Sequence, residues 1–338
     1  MIKYKETVCA VVVTYNRKEL LIECLNALCK QTRPIDAVYV IDNFSNDGTA
    51  ELLLENGYIN ELPYENFDEP FEMATDFDNS VFIGFFDDGL PKPDMNTKKE
   101  IIKIYYIKMN KNTGGAGGFH EGVKRGYEKG YDWLWLMDDD VEPLQNGLEN
   151  LMKYSYISGC IQPSRIYSNG DRAYWDGYIE EETGYAITNN DEFINFKEWN
   201  SVNIGCFEGM LLQSKLVEKV GLPDARFFMA ADDTIYGYKL SKVTNNIYIK
   251  DVCLIKKIDK RKAKFSNLAL YLEFRNRLGY VSRIISRRKW LYYIRSFLSV
   301  VKFMGKSLLT LDIKKSFIAL KGYFDGINEI WGKEKEYL

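Results

Sequence analysis

Four continuous apolar runs alternate with segments of helical spacing in the first half of this 338-residue chain. The apolar runs lie at residues 8–13, 37–41, 101–109 and 133–137, and the helical segments at 17–30, 46–55 and 118–129. Continuous apolar strands that alternate with helices are typical of a parallel sheet whose two faces are both covered. The sequence therefore predicts an α/β fold with a mostly parallel sheet and helices on both faces.

The fourth apolar run ends abruptly in three carboxylates, Asp138, Asp139 and Asp140. Like charges packed at one strand end repel each other unless a cation lies among them, and α/β sheets bind their ligands at the C-terminal strand ends. Alternate carboxylates suit a hard divalent ion, Mn²⁺ or Mg²⁺, that carries a phosphorylated substrate. The alternative is a solvated acidic turn in which an aspartate caps the next helix.

Polar side chains also follow the first two apolar runs. Thr14 and Asn16 follow the first run, and Asp42 and Asn43 follow the second. Short polar side chains at this edge of a sheet can bind a nucleobase and a ribose through hydrogen bonds. Asn and Asp are also ordinary turn formers, so both interpretations stay open for these residues.

A glycine-rich segment precedes the third helical segment. It contains four glycines within five residues, Gly114, Gly115, Gly117 and Gly118. Glycines lose much backbone entropy on folding, but they let a phosphate or a sugar approach the backbone at a helix N-terminus. Their spacing fits neither the dinucleotide fingerprint nor the P-loop. The alternative is a connection that lets a helix pack tightly against a strand.

Two further carboxylates, Asp232 and Asp233, follow an aromatic run and precede a predicted helix that begins at Thr234. Helix capping explains one of these acids. A carboxylate held at this position could also accept a proton from a substrate hydroxyl.

Taken in order, these segments resemble the family 2 glycosyltransferases with the GT-A fold, over nearly the whole chain. The matching segments are VVVTYNRKELLIECLNALCKQT, VYVIDNFSNDGT, NTGGAGGF, WLWLMDDDVEP, GLPDARFFMAADDTIYGYKLS and YLEFRNRL. NTGGAGGF followed by MDDD is most similar to the branch that uses UDP-galactofuranose. The segment ALKGYFDGINEIWGK looks like the closing segment of bacterial rhamnosyl- and galactofuranosyltransferases.

The resemblance implies a GT-A fold, which is a Rossmann-like, mostly parallel sheet, and a role for each matching residue. The donor nucleotide sugar would be bound by Thr14, Asn16, Asp42, Asn43, Gly114, Gly115, Gly117, Gly118 and Asp139. Asp138 and Asp140 would hold Mn²⁺ or Mg²⁺ against the diphosphate. Asp233 would be the general base, and Asp232 would orient the acceptor.

The reaction that the resemblance implies is inverting transfer of galactofuranose from UDP-galactofuranose to a hydroxyl of a lipid-linked or surface polysaccharide, such as a capsule or O-antigen. An alternative donor is dTDP-rhamnose, since thymine and uracil differ by one methyl group. Relatives often supply a histidine to the metal, where this chain has Lys256 and Lys257. We therefore expect weaker metal dependence. An alternative from another class is a non-catalytic nucleotide-sugar-binding scaffold at the membrane.

We predict a catalytic domain over residues 1–260 and a largely helical, basic region over 261–338. The catalytic domain would comprise a nucleotide-sugar half, residues 1–140, and an acceptor half, residues 141–260. Residues 60–98 are rich in acids and lack periodicity, which predicts a loop-rich insertion in the first half.

The basic region is the strongest charge feature of the sequence. Residues 260–321 carry sixteen Lys/Arg against two acids. Aromatic side chains interleave with these cations at Trp290, Tyr292, Tyr293, Phe297 and Phe303. This pattern suits peripheral contact with an anionic membrane. The alternative is a set of helices that pack on the catalytic domain and expose a solvated basic face.

Other features indicate a location at the cytoplasmic, inner face of the cell membrane. The chain enters an apolar strand almost at once, which leaves no room for a signal peptide. No run of eighteen apolar residues occurs, and the six cysteines form no CxxC pair. No nucleic-acid-binding module accompanies the basic region, so we expect no nucleic-acid partner. The sequence does not indicate an oligomeric state.

Overall fold

The computed structural model describes residues 6–64, 67–79, 101–188, 198–259, 266–332 and 336–337. The strands are β1 (Val8–Thr14), β2 (Ala37–Asp42), β3 (Phe71–Asp78), β4 (Ile101–Lys108), β5 (Trp133–Asp138), β6 (Val141–Pro143), β7 (Cys160–Tyr167), β8 (Asp176–Glu180), β9 (Tyr185–Thr188), β10 (Trp199–Ser201), β11 (Leu211–Gln213) and β12 (Ile247–Lys256). The helices are α1 (Lys18–Cys29), α2 (Thr49–Glu55), α3 (Gly114–Glu128), α4 (Gly147–Met152), α5 (Val217–Val220), α6 (Asp232–Leu240), α7 (Asn267–Leu272), α8 (Ser282–Ile285), α9 (Lys289–Leu309) and α10 (Ile313–Ile327). A π-helical segment, Glu273–Val281, joins α7 to α8.

Ten of the strands form one sheet in the order β10-β12-β7-β11-β5-β1-β2-β4-β3, with β6 paired to β12. β5, β1, β2 and β4 run parallel at its centre. β11 and β3 flank this block on its two sides and are antiparallel to it. Strands β8 and β9 form a separate hairpin. The prediction of an α/β fold with a mainly parallel central sheet is confirmed.

The burial of β1 explains why its sequence is continuously apolar. Every residue of this strand is buried. Val8, Ala10 and Val12 belong to a core cluster with residues of α1, whereas Cys9, Val11 and Val13 belong to a second cluster with residues of α3. Side chains alternate between the two faces of a strand, so a strand covered on both faces needs apolar residues at every position.

The strand register brings the polar strand ends to one edge of the sheet. Thr14 pairs with Asp42 at the ends of β1 and β2. Val13 pairs with Asp138 at the ends of β1 and β5. The carboxylates after β5 therefore lie beside the polar residues after β1, at the edge where α/β proteins bind ligands.

The prediction of a loop-rich insertion at residues 60–98 is wrong for residues 71–78, which form the edge strand β3. Phe71, Thr75 and Phe77 are buried, whereas Glu72 and Asp76 are exposed. This alternation suits a strand with one face in water, but the many surrounding acids obscured it. Residues 80–100 lie outside the described part of the chain.

The helical C-terminal region is also confirmed, and it packs against itself through close backbone contacts. Two glycines, Gly279 of the π-helical segment and Gly326 of α10, leave no space for side chains, because an ideal Cβ on Gly279 would lie 2.8 Å from Gly326 Cα. In the described residues, no helix combines the length and the apolar character needed to cross a membrane. The predicted domain boundary at residue 260 falls within residues 260–265, outside the described residues.

Candidate active site

Three carboxylates converge at the C-terminal edge of the sheet. Asp138 ends β5, Asp140 lies in the turn before β6, and Glu208 precedes β11. One carboxylate oxygen from each residue lies within 4.8 Å of the other two. The structure thus brings the predicted metal ligands Asp138 and Asp140 together and adds Glu208, which sequence reasoning missed. Three hard oxygen ligands at such spacing suit Mg²⁺ or Mn²⁺.

The environment of the Asp140 carboxylate indicates whether these residues fit a metal ion. Its side chain is fully buried, and within the described residues neither carboxylate oxygen accepts a hydrogen bond. A buried carboxylate is costly unless it is paired or coordinates a cation. The nearest cationic groups are Arg17 at 3.6 Å and Lys256 at 4.0 Å, both beyond hydrogen-bond distance. The donor set therefore fits a divalent ion.

Two buried cations already face Glu208. Arg165 Nη1 and Lys256 Nζ each form an ion pair with one of its two carboxylate oxygens. Lys256 is 5% exposed, so little solvent screens its charge. Of the two lysines that sequence reasoning left open, Lys256 is the one beside the carboxylates. Lys257 instead pairs with Glu23 and Glu142.

A pocket of about 280 Å³ opens beside the carboxylates on the side of β1 and β2. Its walls include the predicted donor-binding residues Thr14, Asn43, Gly114, Gly115 and Asp139, together with Asp138. Asp139 accepts hydrogen bonds from Thr14 Oγ1 at 2.8 Å and from Arg17 Nη1 at 3.0 Å. Burial raises the pKa of the Asp139 carboxyl above its ordinary value, although Arg17 and Thr14 oppose the shift.

The remaining predicted donor-binding residues lie outside the walls of this pocket. Asp42 is fully buried, and its carboxylate accepts hydrogen bonds from Ser45 N and Tyr106 Oη, both at 2.7 Å. Asn16 is exposed, and its side-chain oxygen accepts from Asn46 N at 2.8 Å. Both side chains thus hold neighbouring turns and strands in place, and their contact with the nucleotide stays a prediction.

The glycine segment divides into two parts. Gly114 and Gly115 line the pocket, and Gly114 has φ of +70°, which favours glycine. Gly117 and Gly118 are buried within α3, which begins four residues earlier than predicted. An ideal Cβ on Gly118 would lie 2.5 Å from Val13 Cγ1, and one on Gly117 would lie 2.3 Å from Thr113 Oγ1. The role of the four glycines at the donor stays a prediction; Gly114 and Gly115 line the pocket, whereas Gly117 and Gly118 are buried against Thr113 and Val13.

Asn43 holds the start of the glycine segment in place. Its Nδ2 donates to the Gly114 carbonyl at 2.9 Å, and its Oδ1 accepts from the backbone N and the Oγ1 of Thr113, both at 2.9 Å. The residue is 2% exposed. Asn43 therefore fixes one wall of the pocket through the backbone as well as lining it.

A second pocket of about 350 Å³ contains the predicted base. Asp232 and Asp233 lie in its wall with Glu208. The two pockets adjoin, since Arg17, Gly115, Asp138 and Met229 line both. The carboxylate cluster thus lies between a pocket on the nucleotide side and a pocket that holds the two aspartates.

Both aspartates of the second pocket hold protons more tightly than ordinary aspartates. Burial raises the pKa of Asp232 well above its usual range, and the neighbouring charge of Asp233 adds to this shift. Burial also raises the pKa of Asp233, although hydrogen bonds from Thr234 oppose it. A carboxylate with a raised pKa is a better proton acceptor, which suits a general base.

The segment before these aspartates is strained. Phe228, Ala230 and Ala231 have φ of 64°, 69° and 67°, a region that residues with a side chain rarely adopt. Such strain persists only where surrounding structure imposes it. Asn276 Nδ2 imposes it here, because it lies 2.8 Å from the Met229 carbonyl oxygen and 2.9 Å from that of Ala230.

Arg275 and Asn276 belong to the π-helical segment and are both fully buried. Asn276 Nδ2 also reaches the Phe227 carbonyl at 3.1 Å, and Arg275 Nη2 donates to the same oxygen at 2.8 Å. The helical C-terminal region thereby positions Asp233 from outside the sheet. Sequence reasoning used this segment, YLEFRNRL, only as part of a resemblance, because the burial of Arg275 and Asn276 is visible only in the structure.

Comparison with known proteins gives a family match and several similar chains. The model of the family described as Glycosyl transferase family 2 matches residues 9–58 and 86–221. Galactofuranosyltransferase GlfT1 of Mycolicibacterium smegmatis is 26% identical over 243 residues, which cover 68% of this chain and 64% of that protein. The match therefore spans less than two thirds of the relative's length.

Solved structures show the same fold at low sequence identity. Staphylococcus aureus TarS 1–349 in complex with UDP-GlcNAc has a TM-score of 0.55 and 14% identity, with 98% of this chain and 84% of that chain covered. Mannosyltransferase PcManGT of Pyrobaculum calidifontis, in complex with GDP-Man and Mn²⁺, has a TM-score of 0.52 and 13% identity, with 97% and 89% covered. The fold is thus shared with GT-A glycosyltransferases, as predicted.

Proposed function

The chain belongs to glycosyl transferase family 2, and we propose that it is a metal-assisted, inverting glycosyltransferase that uses a UDP-sugar. The observation that carries this proposal is the position of the Asp138, Asp140 and Glu208 oxygens, between the nucleotide-side pocket and the pocket of Asp233. A donor bound across this cluster would have its diphosphate at the carboxylates and its sugar directed towards Asp233.

Asp138, Asp140 and Glu208 are proposed to hold a Mn²⁺ or Mg²⁺ ion. When bound, this ion would supply positive charge to the diphosphate leaving group. Arg17 lies in the walls of both pockets and adds a second positive charge of the protein's own. Lys256, which pairs with Glu208 and lies 4.0 Å from Asp140, lowers the net negative charge that the ion would meet.

Asp233 is proposed as the general base. It takes the proton of an acceptor hydroxyl, the hydroxyl oxygen bonds to the anomeric carbon, and the bond from that carbon to the diphosphate oxygen breaks. Attack from the face opposite the leaving group inverts the configuration. Asp232, whose raised pKa favours the protonated form, can donate a hydrogen bond and so orient the acceptor.

Galactofuranose is the proposed donor sugar. The similarity to galactofuranosyltransferase GlfT1 and the segment NTGGAGGF followed by MDDD support it. A dTDP-rhamnose donor is the alternative, since the residues that would meet the base carry nothing selective against a thymine methyl group. The proposed acceptor is a lipid-linked or surface polysaccharide, which would hold the enzyme at the cytoplasmic face of a membrane.

The test is transfer by the purified full chain from UDP-galactofuranose and from dTDP-rhamnose to a series of alkyl glycosides, with Mn²⁺ present. We expect transfer from UDP-galactofuranose, and a loss of about a hundredfold or more in kcat for Asp233→Asn with little change in donor affinity. Preference for dTDP-rhamnose would change the donor. Donor binding without transfer to any acceptor would favour the non-catalytic scaffold.

A further inference from the structure

Helix α9 packs one side, including Val300, Phe303 and Met304, against the C-terminal core and exposes large apolar side chains on another side. Its buried residues are Tyr292, Ser296, Val300 and Ser307. Large apolar side chains lie elsewhere on the helix surface, namely Trp290 (63% exposed), Ile294 (52%), Phe297 (50%), Val301 (47%) and Leu308 (51%). A helix that only covered the rest of the chain would carry polar residues on the side that it turns to solvent, and not a second apolar row. The exposed side of α9 is therefore built to contact something outside the described chain.

The five exposed residues, Trp290 to Leu308 as given above, form one row, which we call the apolar stripe. Their spacing of three, four or seven residues keeps them on one side of an α-helix. The 21 residues of α9 make the helix roughly 30 Å long. At its end, Leu309 (88% exposed) and Leu311 (87%) extend the apolar surface into the turn before α10. A contiguous exposed apolar surface of this length marks an interaction site.

The charged residues of α9 beside the apolar stripe are all positive, and the acid nearest in the sequence, Asp312 at the start of α10, pairs with Lys315. Helix α9 contains no Asp or Glu. Lys302 and Lys306 are exposed in the neighbouring row, which begins at Leu298, and Lys314 is exposed at the start of α10. Among the described residues, none of these three lysines forms an ion pair, so their charge is available to an anionic partner.

We propose that the apolar stripe and these lysines are a docking surface for an anionic lipid bilayer, with α9 lying in the plane of the headgroups. Apolar residues on one side and lysines beside them are the features of a helix that lies in a membrane interface. Trp290 suits that depth, because tryptophan favours the boundary between headgroups and acyl chains. Lys302 and Lys306, with no acid on α9, add attraction to anionic lipids, and Lys314 adds to it beside Asp312.

A second copy of the chain fits this surface less well. Two copies that paired along the apolar stripe would bring Lys302 and Lys306 of each close to those of the other. Because α9 has no acid to offset them, these like charges would repel. An anionic bilayer satisfies both the apolar stripe and the lysines.

Helix α9 contacts the π-helical segment that supports the candidate catalytic site. Tyr292 Oη lies 3.4 Å from the Gly279 carbonyl oxygen in the π-helical segment. The same segment carries Asn276, which holds the strained backbone before Asp233. The inference goes beyond the proposed function, because lipid binding does not depend on which sugar is transferred or on whether transfer occurs.

The test is co-flotation of the full chain with two kinds of vesicle. One contains phosphatidylcholine alone, and the other also contains about 30% phosphatidylglycerol, an anionic lipid. We expect the wild type to float with the anionic vesicles and to be released by high salt. Phe297→Glu/Val301→Glu should weaken binding by at least about tenfold. Lys302→Glu/Lys306→Glu should weaken binding to anionic vesicles by a similar factor.

Two matched controls distinguish an effect of the α9 surface from an effect of net charge or of changing any exposed side chain. Tyr156, 85% exposed and remote in sequence, gives Tyr156→Glu as a control for the apolar changes. Lys215→Glu/Lys219→Glu changes the net charge as much as the paired lysine variant does, at two exposed lysines near α5. Both controls should float like the wild type. UDP binding, measured in parallel, reports whether each variant keeps its folded nucleotide pocket.

The proposal is overturned if the wild type does not float with anionic vesicles, or if the α9 variants float as well as the controls. A dimer that sedimentation detects in the wild type, and that Phe297→Glu/Val301→Glu dissociates, would identify the apolar stripe as a contact between copies instead. Failure of UDP binding in every variant and in the wild type would contradict the proposed function but leave the flotation result interpretable.

Discussion

Lys256 would compete with a divalent ion for the carboxylate oxygens of Glu208 and Asp140. Its Nζ pairs with Glu208 and lies 4.0 Å from Asp140 Oδ2, inside a site with little access to water. A fixed positive charge there repels a metal ion. Lys256→Met removes that charge and keeps the volume. We therefore expect Mn²⁺ to bind the nucleotide-free variant about five- to tenfold more tightly, as measured by calorimetry or by electron paramagnetic resonance.

The adjacent lysine provides a matched control. Lys257 pairs with Glu23 and Glu142, away from the metal-binding carboxylates. Lys257→Met should leave Mn²⁺ affinity within about twofold of wild type. Unchanged or weaker Mn²⁺ binding in Lys256→Met would mean that the lysine supports the site in some other way than by competing with the ion.

Asp232 should make the stability of the protein depend on pH. Burial raises its pKa in the folded state above the ordinary value of 3.8, so the folded state binds a proton more tightly than the unfolded state does. Stability from this residue is therefore full at low pH and is lost as pH rises through the raised pKa. Asp232→Asn, which is neutral throughout, should show less of this loss.

Urea unfolding of both proteins across a pH series measures the effect. The free energy of unfolding of wild type minus that of Asp232→Asn should fall as pH rises above the ordinary aspartate range. A difference that is flat, or that rises with pH, would show that the carboxyl is charged at little cost in the folded protein.

At the scale of elements, α3 packs against β1 through glycine. An added Cβ on Gly118 would meet Val13 Cγ1 at 2.5 Å, whereas nothing lies within 4 Å of one on Gly115. Gly118→Ala should lower the free energy of unfolding by about 1–3 kcal/mol, because a close-packed interface has to move apart. Gly115→Ala should leave it unchanged or raise it by up to about 1 kcal/mol. Chemical denaturation compares the two, and equal effects would contradict this packing account.

The sequence predicted best the elements whose apolar residues follow a simple pattern. Strands β1, β2, β4 and β5 are apolar at nearly every position because both of their faces are covered, and that pattern is visible without any structure. Strand β3 was missed, since its outward acids resembled those of a loop. The start of α3 was also misjudged, because glycines in the first turn of a helix look the same in sequence as glycines in a loop.

Across the whole molecule, the site residues that were predicted are those that lie close to one another in the sequence. Asp138 and Asp140 share one turn, so their spacing alone indicated metal chemistry. Glu208 reaches them only through the antiparallel pairing of β11 with β5. Asn276 acts on the loop before Asp233 across 46 or more residues of chain. Contacts between residues so distant in the sequence leave no periodic pattern in it, so only the folded structure shows them.

We propose that the carboxylates at the sheet edge bind a divalent ion and a nucleoside diphosphate together. The most direct measurement is calorimetric titration of the full chain with UDP and with dTDP, with and without Mn²⁺, on wild type and on Asp140→Asn. Asp171→Asn, at an exposed position after β7, is the control. We expect UDP binding that Mn²⁺ strengthens by about tenfold or more and that Asp140→Asn loses. UDP binding that is absent, or equal in all these conditions and variants, would contradict it.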